Sequence, residues 1–176
     1  MKTLIVVSHP NLTHSVVNKR WIEELKKYPD LYTVHDLYQA YPDGVIDVAK
    51  EQALVEQHGN LILQFPLYWF NCPPRLKQWL DEVFLYGWAY GSTSGYKLKS
   101  HKIALAVSAG ISQEDFVEGG QYNGSLQQIL QPFELTAKYV QADYAEPYLF
   151  YDAEFKLSPE RVEASAKGYI EYLSTL

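Results

Sequence analysis

The segment 65–74 reads Phe-Pro-Leu-Tyr-Trp-Phe-Asn-Cys-Pro-Pro and carries three consecutive aromatic residues between prolines. It follows Leu61-Ile62-Leu63, an apolar run that is typical of a buried strand. Exposed aromatic rings are costly in water unless a flat group covers them. Ligands of open α/β sheets bind outside the carboxyl ends of the strands. We therefore interpret the segment as one wall of a site for a planar cofactor, the alternative being a core cluster at the end of the sheet.

A second loop, over 8–18, offers groups that bind anions. It reads Ser-His-Pro-Asn-Leu-Thr-His-Ser-Val-Val-Asn and lacks the G-x-G-x-x-G dinucleotide fingerprint. Hydroxyls, an imidazole and free backbone N–H groups at the start of a helix together form an anion site, and Asn18 can turn its amide toward the same group. The alternative is ordinary helix capping by Thr13 or Ser15 with a solvated His9.

A third loop, Ser108-Ala109-Gly110-Ile111, follows the apolar run 103–108. Its backbone N–H groups can donate to a ring edge that bears carbonyls, although small residues also commonly end strands. The strands before these three loops are the most apolar and therefore the most central. In a sheet of order 2-1-3-4-5 the strand order reverses between strands 1 and 3, which is where FMN lies in flavodoxin-like folds. The combination predicts a site for FMN, with phosphate, ring and ring edge each held by one loop.

The elements that position these loops alternate between strands and helices. Apolar runs predict strands over 4–7, 32–35, 61–65, 103–108 and 139–149. Helical spacing predicts helices over 17–28, 47–58, 74–84, 125–138 and 159–173, with Pro132 kinking or splitting the fourth. We predict an α/β fold, a flavodoxin-like three-layer sandwich whose five-stranded parallel sheet has the order 2-1-3-4-5. The 176 residues suit one domain over 1–176.

Composition excludes several classes of function. The net charge of −6 argues against binding to nucleic acid, which requires clustered Lys and Arg. The one cysteine, Cys72, excludes an intramolecular disulfide and a multi-cysteine metal site, and we predict no metal. The sequence has no apolar run of the roughly 18 residues that a membrane span needs, and it begins without a signal-peptide pattern. A cytoplasmic location is expected.

Motifs along most of the chain resemble the NAD(P)H:quinone oxidoreductase family of flavodoxin-like FMN proteins. The resemblance is strongest to its bacterial general stress proteins and to the ancillary subunits of Kef potassium-efflux systems. The matching residues are His9, Pro10, Ser15 and Asn18; Tyr41-Pro42-Asp43 with Ile46-Asp47; 66–70; Pro73-Pro74 with Leu76, Lys77, Trp79, Leu80 and Asp81; 87–91; and 130–137.

The resemblance implies a homodimer with FMN, NADH or NADPH as co-substrate, and ping-pong hydride transfer through flavin N5 to a quinone or similar acceptor. It implies that the cofactor is held by His9, Ser15, Val16, Val17, Asn18, Pro66, Leu67, Tyr68, Trp69, Phe70, Ser108, Ala109, Gly110 and Ile111. Tyr122 matches a catalytic Tyr of the family, while no histidine follows it. The family usually has Thr-Thr-Gly-Gly at 108–111, where this chain has Ser-Ala-Gly-Ile.

Two expectations concern the details of turnover and packing, and two alternative functions stay open. Backbone donors near Ala109 and Gly110 are expected to stabilise negative charge at flavin N1 and O2. The glycine- and aromatic-rich loop 86–101, with Trp88, Tyr90 and Tyr96, is expected to shape the acceptor pocket or to pack between subunits. One alternative function is a regulatory ancillary subunit of a glutathione-gated potassium-efflux system at the inner face of the membrane. Another is a flavodoxin-type electron carrier, which normally has the Ser/Thr-rich phosphate loop that this chain lacks.

Overall fold

A computed structural model describes residues 2–92 and 94–176. Its strands are β1 (Thr3–Val7), β2 (Tyr32–Asp36), β3 (Asn60–Pro66), β4 (Lys102–Ser108), β5 (Asp143–Tyr144) and β6 (Tyr148–Phe150). All pairings are parallel, and the sheet order is β2-β1-β3-β4-β5, with β6 also paired to β4. The predicted order 2-1-3-4-5 is confirmed.

The helices are α1 (Val17–Leu25), α2 (Leu37–Ala40), α3 (Val48–Glu56), α4 (Pro74–Val83), α5 (Leu126–Ile129), α6 (Gln131–Tyr139) and α7 (Pro159–Ser174). Short 3₁₀ turns cover Leu12–His14 and Gln113–Phe116. Four of the described helices, α2, α3, α5 and α7, begin at a side-chain cap. Ser158 accepts a hydrogen bond from the N–H of Arg161 at the start of α7, and Pro159 occupies its first turn.

Two apolar cores lie on opposite faces of the sheet because successive strand residues point to opposite sides. Leu4 and Val6 of β1 face a core formed with α3, α4 and α6. Ile5 and Val7 face a second core formed with α1 and α7. The flavodoxin-like three-layer sandwich predicted from the sequence is therefore confirmed. Among the described residues, no helix combines the length and the apolar character needed to cross a bilayer.

One element boundary at the far edge of the sheet differs from prediction, and one predicted break is confirmed. The strand predicted over 139–149 starts later, because Tyr139 ends α6, and it is divided into β5 and β6. Pro147 lies between these two segments and has no N–H to donate to the ladder. The helix predicted over 125–138 is split at Leu130, as expected from Pro132 in the first turn of α6.

Candidate functional site

The loops after β1, β3 and β4 meet at the carboxyl edge of the sheet. Here Val7 pairs with Gln64, and Pro66 pairs with Ser108. They enclose a cavity of about 320 Å³, hereafter the candidate pocket. Its lining residues are His9, Asn11, His14, Ser15, Val16, Val17, Pro66, Leu67, Tyr68, Ser108, Gly110, Ala153, Glu154 and Leu157. Most of the residues predicted to hold a cofactor are thus brought together.

The start of α1 gives the candidate pocket its anion-binding wall. The Ser15 hydroxyl accepts a hydrogen bond of 3.1 Å from the N–H of Asn18 and so caps the helix. Among the described residues, the N–H groups of Val16 and Val17 have no protein acceptor. Free N–H groups at a helix start, together with the helix dipole, attract anions. This wall can bind a phosphate.

His9 adds a donor to the same wall. Its Nδ1 accepts a hydrogen bond of 3.1 Å from the N–H of Asn11, which places the proton of a neutral ring on Nε2. Burial lowers the pKa of His9, and the nearby Asp36 carboxylate opposes this effect only in part. His9 is therefore neutral at pH 7 and donates through Nε2 without adding positive charge.

Asn18 lies behind the pocket rather than in its lining. Its side chain is 1% exposed, and its Nδ2 donates a hydrogen bond of 2.8 Å to Ser108 Oγ. Gln64 Nε2 donates to the Asn18 carbonyl oxygen and to Oδ1, at 3.2 and 3.3 Å. These bonds tie the loops after β1 and β4 to β3. The contacts of Asn18 are those of a positioning residue, and sequence reasoning missed its partner Gln64.

The aromatic segment after β3 forms a tight turn. Tyr68 and Asn71 exchange two backbone hydrogen bonds of 2.8 and 2.9 Å. The two residues between them, Trp69 and Phe70, have φ values of +48° and +60°. Such values are unfavourable for bulky residues and are normally taken by Asn or Gly in a turn of this kind.

The turn separates the residues of this segment that were predicted to form one wall of the site. Leu67 and Tyr68 line the candidate pocket, whereas Trp69 and Phe70 do not. The Trp69 side chain is 93% exposed at the tip of the turn. The Phe70 ring instead lies edge-on against Tyr122, with centroids 4.9 Å apart. Strained backbone of this kind is concentrated at binding sites, and the Trp69 ring remains free to cover a planar ligand.

Replacing Trp69 by Asn tests whether this strain serves binding. Asn tolerates the left-handed backbone, so we expect the free energy of unfolding of the ligand-free protein to rise by about 0.5–1 kcal/mol. We also expect the affinity for a planar cofactor to fall, because a covering ring is lost. Chemical denaturation and a binding titration measure the two effects. Trp69→Ala serves as the control, since it removes the ring without favouring the turn. Unchanged cofactor affinity in both variants would exclude the covering role of Trp69.

The loop after β4 contributes fewer donors than predicted. Ala109 is fully buried, and its N–H donates a hydrogen bond of 2.7 Å to the Phe150 carbonyl. Ala109 therefore has no N–H left for a ligand, and the expectation for this residue is wrong. In the described chain, the N–H groups of Gly110 and Ile111 have no protein acceptor. Neither residue has a left-handed φ, so Ile111 fits where the related family usually has glycine. Ile111 does not line the pocket.

A fourth wall comes from the loop 151–157 after β6, which sequence reasoning missed. Ala153, Glu154 and Leu157 line the candidate pocket. Backbone hydrogen bonds join this loop to the loop after β4, from Ala153 N–H to Ala109 O at 2.9 Å and from Asp152 N–H to Ile111 O at 3.0 Å. The predicted order 2-1-3-4-5 was the signal available in the sequence, because neighbouring strands 4 and 5 place the loops that follow them side by side.

Tyr122 lies near the aromatic turn but outside the pocket lining. Its ring stacks on Phe116 with centroids 5.1 Å apart and contacts the edge of Phe70. The hydroxyl of Tyr122 makes no hydrogen bond to any described residue, and its side chain is half-buried.

The described residues of the loop 86–101, which are 86–92 and 94–101, lie at the opposite end of the sheet. The loop connects the end of α4 to the start of β4, and its Trp88 Nε1 donates a hydrogen bond of 2.7 Å to Glu56 at the end of α3. Helices of a parallel α/β sheet run back from the carboxyl ends of the strands to their amino ends. The expectation that this loop shapes an acceptor pocket together with the partner subunit, or packs between subunits, stays a prediction.

Comparisons with known proteins were made on the whole chain. A family model described as "flavodoxin-like fold" matches residues 1–175. A Bacillus subtilis protein named as an uncharacterized NAD(P)H oxidoreductase is 45% identical over 98% of each chain. A potassium-efflux ancillary protein of Yersinia pestis is 33% identical over 99% of this chain and 94% of that protein. The crystal structure of general stress protein 14 from Treponema denticola, in complex with FMN, is 51% identical over 99% of each chain, with a TM-score of 0.93.

Proposed function

This chain belongs to the flavodoxin-like fold family, and on that premise we propose that it is an FMN-dependent NAD(P)H oxidoreductase that reduces a quinone or a similar small acceptor. One observation carries the proposal: the three loops that differ in chemistry enclose one pocket at the point where the strand order reverses. The FMN complex of the relative from Treponema denticola supports the choice of cofactor, and the relative from Bacillus subtilis supports the oxidoreductase activity.

The residues of the candidate pocket fit the separate parts of FMN. The N–H groups of Val16 and Val17 suit the phosphate because they have no acceptor among the residues described. The apolar side chain of Leu67 and the ring of Tyr68 suit a planar face. The N–H group of Gly110 suits a ring edge that bears carbonyls, and that of Ile111, which follows it outside the lining, is also free.

When bound, FMN supplies the two-electron chemistry that links NAD(P)H to the acceptor. The protein orients the cofactor and provides fixed dipoles. The free N–H group of Gly110 would donate to the ring edge that gains negative charge, and such a fixed dipole would stabilise that charge without reorganisation. Leu67 and Tyr68 keep water from the covered face. We propose that NAD(P)H and the acceptor use the other face in turn, which gives ping-pong kinetics.

We propose that Tyr122 acts at this open face, as the family resemblance implies. Its hydroxyl is uncommitted, and its ring is held by Phe70 and Phe116 beside the aromatic turn. Tyr122→Phe keeps the ring packing, so we expect unchanged FMN affinity and stability. Loss of a hydrogen bond worth about 1.4 kcal/mol would slow flavin reduction by NAD(P)H about tenfold. A wild-type rate of reduction in stopped-flow absorbance would remove Tyr122 from the mechanism.

The loop 86–101 suits a role between subunits, and we propose a homodimer. Tyr86 and Tyr139 are 66% and 65% exposed, and both contact Tyr90. Exposed aromatic clusters of this kind are enriched in interfaces. Sedimentation velocity that shows only monomer at micromolar concentration would contradict the homodimer.

A second candidate function is that of an ancillary subunit of a potassium-efflux system, acting from the cytoplasm at the inner face of the membrane. The 33% identity to the protein from Yersinia pestis favours it. Co-expression with a transporter of that class tests the second function. Co-purification would support it, and an efflux rate that is independent of the protein would contradict it.

A binding titration tests the first function. Tryptophan fluorescence of the purified protein is followed as FMN or riboflavin is added. We expect tight binding of FMN and weaker binding of riboflavin, because riboflavin lacks the phosphate. A protein that binds neither would contradict the proposed function.

A further inference from the structure

The loop 151–157 holds a carboxylate against the candidate pocket. Arg161 fixes the loop at both ends, since its guanidinium donates hydrogen bonds to the carbonyl oxygens of Tyr151, at 3.0 Å, and of Lys156. The backbone bonds of Asp152 and Ala153 fix its first half to the loop after β4. Glu154 is therefore presented from an anchored segment.

The Glu154 carboxyl group lies directly over Gly110. A Cβ atom placed on Gly110 would be 2.7 Å from Glu154 Cδ and 2.9 Å from Oε1, so only glycine leaves room for this approach. Within the part of the chain that the structure describes, Glu154 forms no ion pair and accepts no hydrogen bond. The nearby Lys156 pairs instead with Asp152, at 3.6 Å. Glu154 is exposed to solvent at the rim of the pocket, and its negative charge has no counter-ion among the described residues.

This charge lies on the same wall as Gly110, whose N–H group has no acceptor among the described residues, and Ile111, whose N–H is also free, follows directly. Those groups suit the N1 and O2 edge of the flavin under the function proposed above. Two electrons and one proton convert oxidised FMN to the reduced form, and one negative charge is left at that edge. A carboxylate beside the edge opposes this charge, whereas it has little effect on the neutral oxidised ring.

We propose that Glu154 lowers the reduction potential of bound FMN, and thereby favours electron transfer onward to the acceptor; this inference rests on the proposed function. The charge of Glu154 shifts the equilibrium between oxidised and reduced FMN toward the oxidised form. Sequence reasoning gave no signal for it, because the residue belongs to no motif.

The experiment compares wild-type protein with Glu154→Gln, which keeps the shape of the side chain and removes its charge. The dissociation constants of oxidised and of reduced FMN are measured anaerobically, and the potential is measured by equilibration with a redox dye. We expect affinity for oxidised FMN within about twofold of wild type and affinity for reduced FMN about tenfold tighter. A tenfold change corresponds to a potential raised by about 30 mV for this two-electron couple.

Two further variants sharpen the test. Glu154→Asp keeps the charge on a shorter side chain and should give a smaller rise in potential. Glu171→Gln removes the same charge from the exposed part of α7 near its end, at the far side of the sheet, and should change nothing.

The outcomes separate this inference from the function on which it rests. Equal tightening of both redox states in Glu154→Gln would show repulsion of the phosphate instead and overturn the proposal. An unchanged potential would also overturn it, while leaving FMN binding by the wild-type protein intact. Failure of the wild-type protein to bind FMN would contradict the proposed function itself and this inference with it.

Discussion

Replacement of Val16 by proline is expected to weaken FMN binding about 10- to 100-fold while the fold is retained. Proline removes the one N–H group at this position, which has no acceptor among the described residues. Hydrogen bonds to charged groups contribute about 1.5–3 kcal/mol, and about 1.4 kcal/mol corresponds to a factor of ten in affinity.

The backbone around Val16 accepts proline. Its φ of −81° is close to the value that the proline ring imposes. The preceding residue, Ser15, is extended, with a ψ of 128°, as a residue before proline prefers. At Val17 the same substitution would conflict with the helical ψ of −52° at Val16. Val16 is therefore the position at which one donor can be removed without disturbing α1.

Two controls separate the loss of the Val16 N–H group from the other effects of the substitution. Val16→Ala loses the side chain but keeps the N–H, and it should bind FMN nearly as the wild-type protein does. Riboflavin, which has no phosphate, should bind Val16→Pro and wild type equally. If Val16→Pro bound FMN with wild-type affinity, or lost affinity for riboflavin to the same degree, the start of α1 would not be the phosphate site.

Replacement of Glu51 by leucine is expected to lower the free energy of unfolding by about 3–5 kcal/mol. Glu51 is fully buried on α3 and accepts three hydrogen bonds. The donors are His35 Nε2 at 2.9 Å, the Tyr41 hydroxyl at 2.5 Å and Trp79 Nε1 at 2.7 Å. Leucine would leave these buried donors without an acceptor, which costs more than the removal of a complete network.

The same carboxylate predicts how stability depends on pH. Burial by itself raises the pKa of Glu51, but the hydrogen bonds from His35, Tyr41 and Trp79 outweigh it and lower the pKa below the ordinary value of 4.5. The folded protein therefore gains stability from ionised Glu51 above the pKa of the unfolded chain, and loses it as the pH falls through the lower folded pKa. Urea denaturation of wild type below pH 4.5 should show this loss, and Glu51→Leu should lack that component.

A matched variant controls for the general effect of removing a glutamate. Glu23 is exposed on α1, and Glu23→Ala should change the free energy of unfolding by less than about 0.5 kcal/mol. A Glu51→Leu protein within 1 kcal/mol of wild type would show that the buried network contributes little. Glu51→Gln keeps one acceptor oxygen, so its free energy of unfolding should lie between those of wild type and Glu51→Leu.

The sheet and the meeting of three loops were predictable because apolar runs identify the central strands and parallel order fixes which strand ends are neighbours. The anion-binding character of the start of α1 was equally predictable, because the first N–H groups of a helix have no acceptor within the helix. The partners of Asn18 and Ala109 were not, because Ser108 and Phe150 are distant in sequence and their hydrogen bonds depend on the folded register.

Two other features show how far sequence reasoning reaches. Propensity favours Asn and Gly in the turn after β3, so the left-handed backbone of Trp69 and Phe70 contradicts the local signal. The end of the sheet to which loop 86–101 belongs was predictable from the order of the neighbouring elements. A segment that follows a helix and precedes a parallel strand must lie at the amino edge of the sheet.

The central claim is that this pocket holds FMN and passes electrons from NAD(P)H to a small acceptor. It is tested most directly by anaerobic stopped-flow absorbance of the FMN-loaded protein, mixed first with NADH or NADPH and then with a quinone. We predict that the visible flavin absorbance is bleached by at least one of the two nucleotides and returns when the quinone is added. Loaded protein whose flavin stays oxidised with both nucleotides would contradict the account.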